Sequence, residues 1–132
     1  MQYKSDLNRE QLVELATKTY FGNVDAKNLE ETLACFHDTA LFTIQTEHTV
    51  HEGKEGIRRM FETFFDSYEK IVHKDFECTV DEKNGRIAAS FNAVLVDAEG
   101  NETVLRNTNF WRIRGSKFQE VYVYMSGPNV LV

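Results

Sequence analysis

The sequence has one proline, Pro128, and no tract of low complexity, so it offers no candidate linker between domains. No run of residues approaches the ~18 apolar residues that a membrane-spanning helix needs. Residues 1–9 are too polar for the apolar core of a secretory signal. The two cysteines, Cys35 and Cys78, do not form a CxxC pair, which favours free thiols over a disulfide. A chain of 132 residues can bury a full core, so we expect one cytoplasmic domain spanning 1–132.

An excess of positive charge is also missing. The net charge is −6, whereas nucleic-acid binding requires a concentrated basic patch. Arg58 and Arg59 are only a pair, and Arg106, Arg112 and Arg114 are spread along one stretch. We therefore expect no nucleic-acid partner and no membrane partner. Aromatic residues are plentiful, at 12% with ten Phe, which favours a large core or an aromatic cavity.

Two helices are predicted in the N-terminal third. The first runs from about residue 6 or 8 to residue 21, because Asn8 and Gln11 fit a capping box. Gly22-Asn23 is expected to end it, since both residues tolerate left-handed backbone. The second helix is expected to begin at Asp25, a good N-cap, and to end at His37-Asp38.

The third helix and the strands follow from apolar periodicity. A helix is predicted over 54–68, where the apolar stripe is Ile57, Met60, Phe61, Phe64, Phe65 and Tyr68. A first strand is predicted over 40–46 and a polar connection over 47–52. Four more strands are predicted, and they cover 71–82, 86–97, 102–113 and 118–125. Short turns join these four strands, so neighbours must pair antiparallel.

Alternation along the strand over 102–113 separates its two faces. One face carries Leu105, Asn107, Asn109 and Trp111, and the other carries Arg106, Thr108, Phe110 and Arg112. A face that mixes bulky apolar side chains with two amides is more typical of a pocket wall than of a plain core. Asparagine is disfavoured in strands, so these amides need partners, either within the protein or on a ligand.

The lengths of two turns decide which other residues share that face. A four-residue loop over 98–101 would pair Asn92 with Asn107 and place Asn92 on the inner face. A four-residue loop over 114–117 would do the same for Tyr122 and Tyr124, whereas a three-residue loop would turn both outward. We predict four residues in each loop. The two tyrosines then belong either to the pocket or, if they face outward, to a dimer contact.

The order helix, helix, strand, helix and antiparallel meander resembles the nuclear-transport-factor-2-like superfamily, which includes ketosteroid isomerase and SnoaL-like polyketide cyclases. The residues that carry the resemblance are Tyr20 late in the first helix, the junction 35–40, the glycine-marked entry 51–57 and the strand 109–113. The resemblance implies an α+β fold, a cystatin-like cone in which three N-terminal helices pack on a strongly curved antiparallel sheet. Members commonly dimerise through the outer sheet face, so a homodimer is expected.

The resemblance to ketosteroid isomerase implies roles for three positions. Its oxyanion-hole tyrosine corresponds to Tyr20, and its second oxyanion donor corresponds to Asn109, whose amide donates a hydrogen bond without a raised pKa. Its general base corresponds to Ile44, which cannot take a proton. The resemblance therefore implies a site that polarises a carbonyl oxygen but lacks the isomerase's base.

The remaining candidates are weighed residue by residue. His48 and His51 are interpreted as solvated loop residues or, alternatively, as a base at the cavity mouth; no third metal ligand accompanies them. Glu120 is a candidate replacement base if it faces inward. His37 and His73 are interpreted as surface residues. The expected ligand-binding wall is Phe42, Ile44, Met60, Phe64, Asn92, Asn107, Trp111, Tyr122 and Tyr124.

Three functions remain open on the sequence alone. The first is an isomerase, cyclase or dehydratase that acts on a hydrophobic carbonyl compound through Tyr20 and Asn109. No cofactor motif is visible and no metal site is expected, so its chemistry would be acid–base. The second is a non-catalytic module that shelters a small hydrophobic molecule. The third is a structural or partner-binding homodimer whose cavity is filled by its own side chains.

Overall fold

A computed structural model describes residues 3–132. The first helical stretch is continuous and has three parts: α1 (Arg9–Val13), a π-helical segment (Glu14–Tyr20) and α2 (Phe21–Asp25). The predicted capping box is confirmed, because the Asn8 side chain accepts from the Gln11 backbone and the Gln11 side chain accepts from the Asn8 backbone.

The predicted break at Gly22-Asn23 is wrong, and the helix continues to Asp25. Buried Phe21 and Val24 flank these two residues, and packing of that face outweighs their poor helix propensity. The chain turns instead at Lys27, whose φ is 58°. Asp25 therefore ends a helix rather than capping the next one.

Two further helices follow, α3 (Leu29–Leu33) and α4 (Gly53–Ser67). The second predicted helix is thus shorter than expected, since strand β1 already begins at Phe36. The predicted stripe of α4 is largely confirmed: Ile57, Met60, Phe61, Phe64 and Phe65 are buried. No helix within residues 3–132 has the length and apolar character required to cross a membrane.

The six strands form one sheet in the order β2-β1-β6-β5-β4-β3. Their bounds are β1 Phe36–Ile44, β2 Thr49–Glu52, β3 Lys70–Asp81, β4 Arg86–Val96, β5 Glu102–Arg114 and β6 Lys117–Tyr124. Two findings correct the predicted sheet. The short edge strand β2 lies within the predicted polar connection, and β1 pairs with β6 in parallel, so the sheet is mixed.

The predicted register between β4 and β5 is wrong by one residue. The turn has five residues, 97–101, because the Asp97 carboxylate accepts from the backbone N–H groups of Glu99 and Asn101 at 2.9 Å each. Consequently Asn92 pairs with Arg106, and Phe91 is opposite Asn107. A one-residue slip exchanges the faces of a strand, so Asn92 lies on the outer face.

The last hairpin begins in the predicted register and then departs from it. Ile113 pairs with Phe118 as expected, but the register shifts beyond this pair, and Arg112 pairs with Glu120. The residue inserted between these pairs, Gln119, is buried and donates from its amide to the Thr39 carbonyl oxygen at 3.3 Å. This bulge turns Tyr122, Tyr124 and Glu120 to the outer face, contrary to the prediction.

The inner face of β5 agrees with the sequence analysis. Leu105, Asn107, Asn109 and Trp111 are all buried. The helices cover this face and form one core with it. Cys35 and Cys78 are free thiols, as predicted.

Candidate active site

A small hollow lies between the helices and the inner face of the sheet, with a volume of ≈ 30 Å³. Aromatic side chains dominate its wall. The lining residues are Tyr20, Phe21, Phe42, Phe61, Phe64, His73, Phe91, Ala93, Leu95, Asn107, Asn109, Val123, Met125, Val130 and Leu131. Tyr20 and Asn109, the two predicted polar residues, therefore line the same hollow.

A histidine–aspartate pair lies on one side of this wall. The ring Nδ1 of His73 is 2.6 Å from Oδ1 of Asp25, and the His73 backbone N–H donates to the second carboxylate oxygen at 2.8 Å. The ring stacks on Phe21 at a centroid distance of 4.2 Å and meets Phe91 edge-on. The carboxylate and the two rings together fix the orientation of the imidazole. Because Nδ1 is engaged by Asp25, Nε2 is the ring nitrogen left to contact a ligand.

Tyr20 is positioned by the last turn of the π-helical segment. Its ring is almost fully buried and packs edge-to-face on Phe36, Phe61, Trp111 and Phe118. Burial raises the pKa of the Tyr20 phenol well above its ordinary value, and the neighbouring Cys35 and Asp25 groups raise it further. The hydroxyl therefore stays protonated at neutral pH and can serve as a hydrogen-bond donor.

Two amides on β5 complete the polar part of the wall. Asn107 Oδ1 accepts from the backbone N–H of Ser126 at 3.3 Å, so this residue holds the chain after β6. Asn109 is 3% exposed, and within residues 3–132 its Oδ1 has no hydrogen-bond partner. A buried carbonyl oxygen without a partner is costly, which makes Asn109 ready to accept from a ligand.

Among residues 3–132, no charged side chain of Lys, Arg, Asp or Glu is part of the lining. Within the described part of the chain, no group of three His, Cys, Asp or Glu side chains could hold a metal ion. The arrangement can donate hydrogen bonds, accept them, and take up a proton at one imidazole. It offers no fixed positive charge for an anionic ligand.

Comparison with known proteins agrees with this architecture. Residues 17–121 match the model of the SnoaL-like domain. The chain belongs to the SnoaL-like domain family. No curated protein matches the chain.

Solved structures share the fold of this SnoaL-like domain at low sequence identity. A provisionally assigned polyketide cyclase from Xanthomonas campestris pv. campestris has a TM-score of 0.79 at 19% identity over 89% of this chain and 92% of its own. A provisionally assigned aromatic ring hydroxylase from Novosphingobium aromaticivorans has a TM-score of 0.78 at 22% identity over 92% and 90%. A protein with a ketosteroid isomerase-like fold from Catenulispora acidiphila, solved in complex with trimethylamine, has a TM-score of 0.73 at 9% identity over 89% and 86%.

The other predicted wall residues of the SnoaL-like domain divide into two groups. Phe42, Phe64 and Asn107 line the hollow. Ile44 and Trp111 are buried in the core but do not belong to the lining, and Met60 lines a separate groove between β2 and α4.

Several further candidates lie away from the hollow. Asn92, Tyr122, Tyr124 and Glu120 lie on the outer face of the sheet, as the two register corrections require. His48 is exposed in the turn between β1 and β2. His51 lines the groove between β2 and α4, and its Nε2 is 3.0 Å from the Leu131 carbonyl oxygen.

The interpretation of His73 as a surface residue is wrong, because its side chain is 7% exposed and lines the hollow. The sequence analysis also did not identify Asp25 as a site residue. His73 is opposite Ala93 in β3, two residues after buried Ile71. A histidine two positions from an apolar residue in a strand is on the same face, and this signal was available. The role of Asp25 was hidden by the wrong end predicted for the first helix.

Proposed function

We propose that the hollow is an acid–base active site for a neutral, hydrophobic, carbonyl-bearing compound, with His73 as the general base. The observation that carries the proposal is the 2.6 Å contact between His73 Nδ1 and Asp25 Oδ1 on the wall of an aromatic hollow. His73 would thus supply the general base that Ile44, at the position corresponding to the base of ketosteroid isomerase, cannot provide.

The proposed first step is removal of a proton from the carbon next to the carbonyl. His73 Nε2 takes the proton, and the electron pair of the C–H bond moves into the enolate. Asp25 holds the Nδ1–H and stabilises the imidazolium that forms, as a carboxylate does in other histidine-based sites.

The developing oxyanion needs hydrogen-bond donors. The Tyr20 hydroxyl is kept protonated by its raised pKa, and the Asn109 amide offers an N–H. Donors fixed in a water-poor site lower the barrier most, because they need no reorganisation as charge develops. The ring walls exclude water from the enolate.

The enolate has three outcomes in this reaction class. Return of the proton to another carbon is isomerisation, attack on a second carbonyl is cyclisation, and loss of a β-hydroxyl as water is dehydration. The descriptions of the structural neighbours, a polyketide cyclase and a protein with a ketosteroid isomerase-like fold, support the class without choosing among these outcomes.

Proton exchange tests the first step without knowledge of the substrate. 2-Tetralone is a neutral, flat ketone, and loss of its α-protons in D₂O is followed by NMR. The wild-type protein should accelerate exchange, and His73→Gln should reduce the protein-dependent rate by about 10²- to 10⁴-fold. Asp25→Asn should reduce it by about 10²-fold or more, because the imidazole loses its orienting carboxylate.

His48→Asn is the matched control. His48 is exposed and has a φ of 53°, and asparagine tolerates that backbone well. Its exchange rate should equal that of the wild-type protein. Full exchange activity in His73→Gln would remove His73 as the base.

A second candidate function is a non-catalytic binding module. The apolar lining and the absence of charged lining groups favour it equally well. A wild-type protein that binds 2-tetralone without exchanging its α-protons would select this candidate.

We also propose a homodimer formed through the outer sheet face. Val104 and Tyr124 are 58% and 52% exposed there. A shallow groove of ≈ 340 Å³ crosses the same face and is lined by Gln45, Arg86, Phe110, Arg112, Tyr122 and Tyr124. Aromatic and arginine side chains of this kind are enriched at interfaces.

A further inference from the structure

We infer that residues 126–132 occupy the space of the ligand and are displaced when a neutral, flat molecule bearing a hydroxyl group binds. The inference rests on the proposed site, and it adds the entry step and the class of ligand. We call residues 126–132 the tail.

The volume of the hollow requires displacement. Its ≈ 30 Å³ accommodates one or two waters, whereas benzene occupies a cavity of about 150 Å³. Pockets for metabolites have volumes of about 300–1,000 Å³. A ring compound therefore fits only after some of the lining residues have moved out of the hollow.

The tail is the part of the lining that is free to leave. Val130 and Leu131 line the hollow, yet both are partly exposed and belong to no helix or strand. The other lining residues, apart from Met125 just before the tail, belong to helices or to paired strands. Moving Val130 and Leu131 therefore opens the hollow without breaking the sheet.

Hydrogen bonds divide the tail into a fixed root and a loosely held end. At the root, Ser126 donates its backbone N–H to Asn107 and accepts from the Arg106 backbone N–H through its hydroxyl. At the end, Val130 and Leu131 pack against the core, and the hydrogen bond that residues 3–132 show beyond the tail is the one from His51 Nε2 to the Leu131 carbonyl oxygen at 3.0 Å. This one hydrogen bond is the latch.

Gly127 lies between the root and the latch. A Cβ at this position would approach Leu105 Cδ2 to 2.8 Å. Absence of a side chain lets the backbone of the tail pass close to Leu105 on the inner face of the sheet.

The chemistry of the wall selects the ligand. The part of the chain that the structure describes places no lysine or arginine in the lining, so a carboxylate would lose its hydration without gaining an ionic partner. The partnerless Asn109 Oδ1 requires a donor, and a hydroxyl supplies one. Stacked rings on the wall favour a planar body.

Paired probes test both parts of the inference. 2-Naphthol is neutral and carries a hydroxyl, and 2-naphthoate has the same ring system and a negative charge. Calorimetric titration at pH 7 should show binding of 2-naphthol and at least tenfold weaker binding of 2-naphthoate. Equal or tighter binding of 2-naphthoate would overturn the ligand class.

Latch variants test displacement. His51→Ala removes one hydrogen bond from the closed state, so 2-naphthol should bind about 2- to 10-fold more tightly. Leu131→Ala should tighten binding at least as much. His51→Gln retains a donor and should behave as the wild-type protein, and Val132→Ala, at a side chain 65% exposed, should change nothing.

The outcomes separate this inference from the proposed function. Unchanged affinity in both His51→Ala and Leu131→Ala, or no binding of 2-naphthol by any variant, would overturn displacement of the tail. Tail-dependent binding together with unaffected proton exchange in His73→Gln would leave the tail inference standing and remove the proposed catalytic role of His73.

Discussion

Glu120 illustrates how a single side chain on the outer face is held. Its carboxylate accepts from the Tyr122 hydroxyl at 2.5 Å and is 3.2 Å from an Arg112 nitrogen. Burial by itself would raise the pKa of Glu120. Hydrogen bonds from Tyr122 and Tyr3, together with the charge of Arg112, outweigh burial and hold that pKa below its ordinary value.

A lowered folded-state pKa stabilises the protein above the unfolded pKa, and this contribution is lost as the pH falls through the folded value. Glu120→Gln should therefore lower the free energy of unfolding by about 1–2 kcal/mol at pH 7. The difference from wild type should vanish between about pH 5 and pH 3, because the unfolded glutamate titrates near 4.3. Urea denaturation at several pH values measures it.

Glu77→Gln is the matched control for Glu120→Gln. Glu77 is also 3.2 Å from an arginine nitrogen, that of Arg106, but its side chain is 80% exposed, against 14% for Glu120. Exposed ion pairs contribute about 0–1 kcal/mol. A loss in Glu77→Gln as large as that in Glu120→Gln would contradict the role of burial.

At the scale of elements, the β3–β4 turn carries the chain's tightest glycine contact. Gly85 has a φ of 63°, and a Cβ there would lie 2.5 Å from Ser5 Cβ and 3.0 Å from the Ile113 carbonyl oxygen. Gly85 also accepts from the Ile113 N–H at 2.8 Å. The turn thus packs against both the N-terminal segment and the end of β5.

Gly85→Ala should be more destabilising than Gly100→Ala. Gly100 has a φ of 83°, and a Cβ at this position would have no atom within 4 Å. Its alanine variant is therefore destabilised only by the left-handed backbone, by about 1–2 kcal/mol. Gly85→Ala adds steric overlap worth about 1–3 kcal/mol. Equal urea midpoints for the two variants would contradict the close packing of Ser5.

The periodicity of apolar residues was enough to predict which segments are helices and which are strands. The pairing register of the strands was not predictable in this way, because it depends on hydrogen bonds of individual side chains. The stripe of α4 and the alternation of β5 were predicted because one buried face forces a repeat. The five-residue turn at 97–101 depends on one carboxylate accepting two backbone bonds. The bulge at Gln119 depends on a tertiary contact with Thr39.

The same difference explains why only part of the candidate site was predicted. Tyr20 and Asn109 were found through the resemblance and through strand alternation. The Asp25–His73 pair joins residues 48 positions apart, and it exists because the first helix continues past Gly22 and delivers Asp25 to β3. Contact between distant segments is set by packing, which no local pattern encodes.

At the scale of the whole molecule, the two faces of the sheet have different surroundings. The inner face is covered by helices and the tail, whereas the outer face carries aromatic side chains that no helix within residues 3–132 covers. Apolar surface of this kind on a curved or flat sheet favours association. A symmetric contact would place the same patch of both copies together.

Tyr124→Asp should dissociate the proposed homodimer, because a charge at a 52% exposed aromatic position of the outer face would be buried without a partner in a symmetric interface. Light scattering coupled to size exclusion at micromolar concentration should give twice the 15.3 kDa chain mass for the wild-type protein and one chain mass for the variant. Val132→Asp, at a 65% exposed residue outside the sheet, should remain dimeric. A wild-type protein that elutes as a monomer, or dissociation of both variants alike, would contradict an interface on the outer face.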